Sequence, residues 1–156
     1  GMLVITGLVG ALGGGWIGDR LLRQWREAYL WLSGVTTLLA APLAWVALTT
    51  PNMTVYLVTL FAAELLIFTS TAPINSKLID IVPAGMRAAA MALCIFCIHL
   101  LGDVPSPTLI GWISDRSSIR EGVLVIPVAV VVSGAIWIYA AWRGAPVRSR
   151  ADVVEV

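Results

Sequence analysis

The chain has 156 residues, 59% of them hydrophobic and 12% charged, with a net charge of +1 at neutral pH. Its mean hydropathy is +0.92. A soluble domain carries about 25% charged residues, so this chain has too little polar surface to cover a core in water, and a bilayer is its expected solvent. No dense Lys/Arg cluster interleaved with aromatics is present, which argues against a nucleic-acid partner.

A helix that crosses the hydrocarbon core needs roughly 20 apolar residues. Five segments meet or approach that length, at about 1–18, 28–48, 53–81, 86–113 and 122–142. They lack the alternation of β-barrel strands, so the sequence predicts an all-α membrane protein with five transmembrane helices. The connections are short, as in a bundle. The N-terminus has neither the basic start nor the cleavage site of a signal peptide, and the sequence is expected to begin within a membrane helix. A basic tail, 143–156, closes the chain. If the five helices alternate, Arg20, Arg23, Arg26, Lys77, Arg87, Arg143, Arg148 and Arg150 fall on one side. Arg116 and Arg120 fall on the other, diluted by Asp115 and Glu121. The positive-inside rule then predicts a multi-pass protein of the cell membrane, in bacteria the inner membrane, with its C-terminus in the cytoplasm.

The first segment is rich in glycine. Gly10, Gly14 and Gly18 make one small face at four-residue spacing, and Gly7, Ala11 and Gly15 make a second beside it. Such faces let helix backbones approach closely, as static packing or as a surface on which helices slide. The stretch "GWIGDRLLR", Gly15 to Arg23, has the form G-x-x-x-D-R-x-x-R and reads as a short loop between two membrane helices. Asp19 is expected to pair with Arg20, Arg23 or a neighbouring helix end and so to latch one face. Ordinary flanking by cations is the alternative reading.

Glu64 lies in the third segment, roughly 15 Å deep if the helix starts at Met53. An ionisable group there costs at least ~2.5 kcal/mol on insertion scales, so it is expected to face the bundle interior or a water-filled cavity. Further on, "TSTAPINSK" collects Thr69, Ser70, Thr71, Asn75 and Ser76 around Pro73. Proline removes a helical hydrogen bond, so this reads as a bendable, cavity-lining stretch.

The fourth segment carries "HLLGDVPSPTLIGWISD". His99 and Asp103 are four residues apart on one helical face and can satisfy each other. Pro105 and Pro107 are expected to loosen the helix just after them. Broken backbone at membrane depth is tolerated only where protein or water satisfies it, and interrupted helices with polar groups nearby point to a transport site.

No catalytic motif is present. Ser106 lies near His99 and Asp103 in sequence, but only proximity supports a nucleophilic set. With one histidine, and two cysteines (Cys94 and Cys97) inside an apolar run, no metal site, cofactor or redox pair is expected, and the cysteines read as packing residues.

Taken together, the stretch Thr71 to Asp115 resembles the tenth and eleventh helices of Spinster-like transporters, a branch of the major facilitator superfamily. The resemblance rests on Pro73 and Asn75, Val82-Pro83, Arg87-Ala88, His99-Leu100-Leu101-Gly102-Asp103, Ser106-Pro107, Ile110-Gly111 and Ser114-Asp115. The motif from Gly15 to Arg23 resembles the loop motif that the superfamily carries between its eighth and ninth helices. The resemblance implies that the five segments are helices eight to twelve, a partial C-terminal half of a twelve-helix fold. The missing N-terminal half is then a partner. It also implies alternating access, proton linkage and a lipid-like or organic anion substrate, with no enzymatic activity. Glu64, Asn75, His99 and Asp103 would line the cavity or couple transport. Gly15, Asp19, Arg20, Arg23 and Arg87 would gate one face, and Pro73, Pro105 and Pro107 would break helices. Asp80 stands where bacterial relatives are expected to carry an uncharged amide, and is expected to pair with Lys77 or Arg87. A reading from a different class is a non-transporting membrane fragment that packs against a partner.

Overall fold

The computed structural model describes residues 1–144. The tail expected at 143–156, with Arg148 and Arg150, lies outside the described residues except for Arg143 and Gly144. The helices are α1 (Met2–Leu22), α2 (Ala28–Thr49), α3 (Met53–Ile81), α4 (Arg87–Ile98), α5 (Pro105–Ser114), α6 (Ile119–Val123) and α7 (Val125–Arg143). A 3-10 turn at Ala84–Met86 leads into α4, and a π turn at His99–Asp103 joins α4 to α5. The result is five helical spans long and apolar enough to cross a membrane, the fourth being Ala84–Ser114 and the fifth Ile119–Arg143.

Local chemistry sets the ends of these spans. After Thr50 turns extended, Pro51 cannot continue a helix. Asn52 then caps α3, its side chain accepting hydrogen bonds from the backbone N–H of Thr54 at 2.9 Å and of Val55 at 3.2 Å. This offsets two of the unsatisfied donors of a helix N-terminus. At the other end of α3, Val82 is extended, as the residue before a proline must be. Ser118 caps α6 through the Glu121 N–H, and Gly144, at φ 71°, stops α7.

Two expectations about helix continuity need correction. The motif stretch 15–23 is not a loop: α1 runs through Gly18, Asp19 and Arg20 to Leu22. No strong breaker follows Gly18, and Leu21 and Leu22 keep the segment helical. Pro73 does not break α3, which continues from Met53 to Ile81. Its ring is fully buried, packed where Gly18 of α1 approaches it.

The bundle is a row in which α1 packs on α3, α3 on α2, and α2 on α7. Its interior is made of small residues. Ala40, Ala44 and Ala63 form the buried core, with Leu43, Leu66, Ile67 and Val130 against it. Large apolar side chains such as Trp16, Phe96 and Trp142 point outward. This suits a bilayer, where close backbone packing rather than apolar burial holds helices together. On α1 the buried glycines are Gly7, Gly10, Gly14 and Gly18, so Gly7 joins the Gly10 face instead of pairing with Ala11 and Gly15. A Cβ on Gly10 would meet the Leu65 carbonyl oxygen at 2.6 Å, and one on Gly14 would run into the Thr69 backbone. Gly34 of α2 faces Ile138 in the same way, and Gly134 of α7 faces Leu38.

The fourth span stands apart. None of its residues is buried among the described residues. It meets the rest at its ends, α4 near the end of α3 and α5 against α6.

Candidate functional site

The fourth span carries a polar turn on its open face. His99 Nδ1 lies 2.5 Å from Asp103 Oδ2, and both side chains are 65% exposed. The helix is widened at this point. The Val104 N–H donates to the His99 carbonyl at 3.0 Å, a five-residue step. The loosening lies upstream of the prolines, over residues 99–103, and not after Asp103 as the sequence predicts. The cause is the missing N–H of Pro105 and Pro107. The carbonyls of Leu101 and Asp103 have no donor four residues ahead, and the Pro105 ring crowds the Leu101 carbonyl. Widening the preceding turn relieves both, and Pro105 then serves as the first residue of α5. Such π turns recur at functional positions in helices.

Glu64 and Asn75 are half-buried on α3. They are three turns apart on one face, about 16 Å along the axis. The Glu64 Oε2 is shielded from solvent and has no hydrogen-bond partner among the described residues. No hydrogen bond links either residue to His99 or Asp103 there, so of the four expected cavity residues only His99 and Asp103 are brought together. Ser106 makes no bond to His99 among the described residues. It instead lines a cavity of about 330 Å³ with Thr37, Ser70 and Ser133, hydroxyls contributed by four different helices.

A second polar group sits where the end of α1, the start of α2 and the end of α3 meet. The Tyr29 hydroxyl donates to Asp19 Oδ1 at 2.6 Å. Lys77 Nζ donates to Glu27 Oε2 at 3.3 Å across the α2–α3 junction, with only 12% and 19% of the two side chains exposed. Gly18 lets the Tyr29 ring and Pro73 approach α1, and Gly15 faces the Ala72 methyl at ordinary contact distance. The expected pairs therefore change. Of the three partners expected for Asp19 it is the neighbouring helix end that holds it, through Tyr29 in the first turn of α2, and not Arg20 or Arg23. Lys77 is held by Glu27 and not by Asp80. Arg20 stacks over Trp16, 5.5 Å from its ring centroid. Arg23 and Arg87 are exposed, with no ion pair among the described residues. For Arg20 the reason is reach, since Asp19 and Arg20 are consecutive on a helix and point to different faces; Arg23 and Asp80 stand at helical pairing distance from Asp19 and Lys77, and there the tertiary partners Tyr29 and Glu27 take the contact instead. Tyr29 and Glu27 are the residues that sequence reasoning missed. The available signal was a hydroxyl-bearing aromatic and a carboxylate at the mouth of the second span, a position where amphipathic rings collect.

Residues 49–121 match the model of the Organic Anion Transporter Polypeptide family, a stretch that contains Glu64, Asn75, His99 and Asp103. A probable sphingolipid transporter of Arabidopsis thaliana, spinster homolog 3, is 34% identical over 135 residues, covering 86% of this chain and 26% of the relative. Spinster homolog 1 of the same plant is 32% identical over 138 residues, covering 88% of this chain and 28% of the relative. A sphingosine-1-phosphate transporter of Xenopus tropicalis is 35% identical over 109 residues, covering 62% and 21%. The fold defines a multi-pass helical membrane protein, and the relatives named above belong to the class of transporters. Within that class the chain belongs to the Spinster-like branch of the major facilitator superfamily. It spans about a quarter of the length of the curated relatives it matches.

Proposed function

We infer that this chain is part of a secondary transporter that works by alternating access, is linked to protons, and moves a lipid-like or organic anion substrate. On this reading the five spans are helices eight to twelve of a twelve-helix fold, with the α1–α2 junction and the C-terminus on the cytoplasmic side. The observation that carries it is the His99–Asp103 contact at 2.5 Å on a span that the other described helices leave uncovered. A pair of ionisable groups is too costly to turn toward lipid. It must face either a water-filled pathway or further helices of the same transporter. Two more features support the reading: the π turn makes the span deformable at that pair, and Glu64 holds an unpartnered oxygen inside the bundle.

The test uses the full-length protein in proteoliposomes, with a sphingoid-type lipid and an organic anion as candidate substrates under an imposed pH gradient. Uptake driven by the gradient is expected, slowed at least tenfold in Asp103→Asn and shifted in pH dependence in Glu64→Gln. Wild-type rates with a normal pH profile in both variants would remove these residues from coupling. Absence of transport of any candidate, with a stable association between this segment and a second protein, would favour a non-transporting packing role.

A further inference from the structure

A groove of about 710 Å³ opens along the outer side of α2, with Leu21, Trp25, Arg26, Trp31, Leu32 and Val35 in its wall. That volume is within the usual range of ligand sites. The groove lies outside the His99–Asp103 turn and touches the second polar group only at Glu27, which lines its mouth. α2 turns Ser33 toward the Ser70 carbonyl of α3 and Gly34 toward Ile138 of α7. Trp31 and Val35 lie opposite Ser33 on the face that no described helix covers. The groove starts at the α1–α2 connection and runs from Ala28 to Val35 for about 10 Å along the helix. Its direction is that of the bilayer normal, from the polar boundary into the hydrocarbon.

The chemistry changes along that direction. The mouth has Trp25, Arg26 and Glu27, the body has Trp31, and the inner part has Leu32 and Val35. Tryptophan favours the level of the lipid headgroups. The charge at the mouth is positive for a structural reason. Of the two carboxylates nearest the mouth, Asp19 in the last turn of α1 accepts from Tyr29, and Glu27 on the connection binds Lys77. Arg26 is then left with no ion pair among the described residues, and Arg20 and Arg23 add to the same field. A guanidinium offers donors matched to phosphate oxygens, and an apolar furrow beneath it accepts a hydrocarbon chain.

We propose that this groove binds one anionic phospholipid of the surrounding bilayer, its phosphate at Arg26 and one acyl chain laid along Trp31, Leu32 and Val35. The site is independent of the transport reading: it takes a resident lipid on the outer side of α2, away from His99, Asp103 and Glu64. A transmembrane helix from elsewhere in the protein is a poorer occupant, because the cationic mouth calls for a negative group at the interface and a helix needs none there.

The intact protein in mild detergent, followed by native mass spectrometry with dioleoyl phosphatidylglycerol or dioleoyl phosphatidylcholine, tests this. One phosphatidylglycerol is expected to stay bound, at least fivefold more strongly than phosphatidylcholine. Arg26→Gln should weaken it about fivefold, the worth of one cation near a membrane surface, and leave phosphatidylcholine binding unchanged. Val35→Trp, which fills the furrow without altering charge, should also displace it. Both side chains are exposed, so both variants are expected to fold, and an unchanged melting temperature verifies this for each separately. Equal binding of the two lipids, or phosphatidylglycerol binding untouched by both substitutions, would overturn the proposal. So would full competition by inorganic phosphate or dihexanoyl phosphatidylglycerol, since an acyl chain would then contribute nothing.

Discussion

The Tyr29 hydroxyl donates to the Asp19 carboxylate at 2.6 Å and so ties the last turn of α1 to the first turn of α2. It is a charge-assisted bond between a buried ring and an acid at the end of a membrane helix. Removing the hydroxyl leaves the Asp19 oxygen without this donor. Tyr29→Phe is expected to lower stability by about 1.5–3 kcal/mol, the range for hydrogen bonds to charged groups. Thermal unfolding of the detergent-solubilised protein measures this. The double variant Asp19→Asn with Tyr29→Phe should lose less than the sum of the singles, and strict additivity would show that the two side chains do not act together.

The Glu27–Lys77 pair crosses from the α1–α2 connection to α3, and both side chains are mostly covered. Breaking it from one side strands the other charge. Glu27→Gln is expected to cost about 2 kcal/mol by leaving Lys77 with a weaker partner. Replacing both by apolar residues of similar size, Glu27→Leu with Lys77→Met, should cost less than either single change. Denaturant or thermal scans on the wild type, Glu27→Gln, Glu27→Leu, Lys77→Met and the double variant decide the matter. A neutral Glu27→Gln would mean the pair contributes nothing.

Gly14 and Gly13 are neighbours on α1 with opposite surroundings. A Cβ on Gly14 would collide with the Thr69 backbone, whereas one on Gly13 would meet nothing within 4 Å. Gly14→Ala is expected to force α1 away from α3, at about 1–3 kcal/mol or more by overpacking. Gly13→Ala should be neutral or stabilising, since it removes a helix-interior glycine. Paired melting curves check both. Equal effects would show that α1 does not rest on α3 at Gly14.

The π turn at His99–Asp103 is attributed to the absent N–H groups of Pro105 and Pro107. Restoring them in Pro105→Ala with Pro107→Ala should let the turn tighten into a regular α-helix. That rotates α5 by about 100° relative to α4, the angle of one residue. Spin labels at Cys97 and at Leu109→Cys, with Cys94→Ser, would report the rotation as a distance change of several ångströms. An unchanged distance would move the cause of the widening away from the prolines.

Much of the architecture was readable because hydropathy is a local property. Five apolar runs of membrane-spanning length, separated by two proline-containing breaks and two charged connections, define five spans whatever they pack against. His99 and Asp103 were legible as a pair for the same reason, being four residues apart on one helix. The glycines of α1 announced a close approach, although only packing showed which of them touch α3. Pro73 misled: a proline inside a helical run argues for a break, but α3 stays continuous where Gly18 and its neighbours enclose the ring.

The sequence by itself determined the solvent, the all-helical class, the number of spans and the polar turn of the fourth, since each depends on residues within a few turns of one another. Only the tertiary structure decided the partners. Asp19 meets Tyr29 across ten residues and Glu27 meets Lys77 across fifty, and no local pattern ranks them above the nearer arginines. It also decided which faces remain open, the fourth span and the Trp31 side of α2. In a chain greasy on all sides, apolar periodicity does not separate a helix face turned to lipid from one turned to protein, and contact between small residues makes that choice.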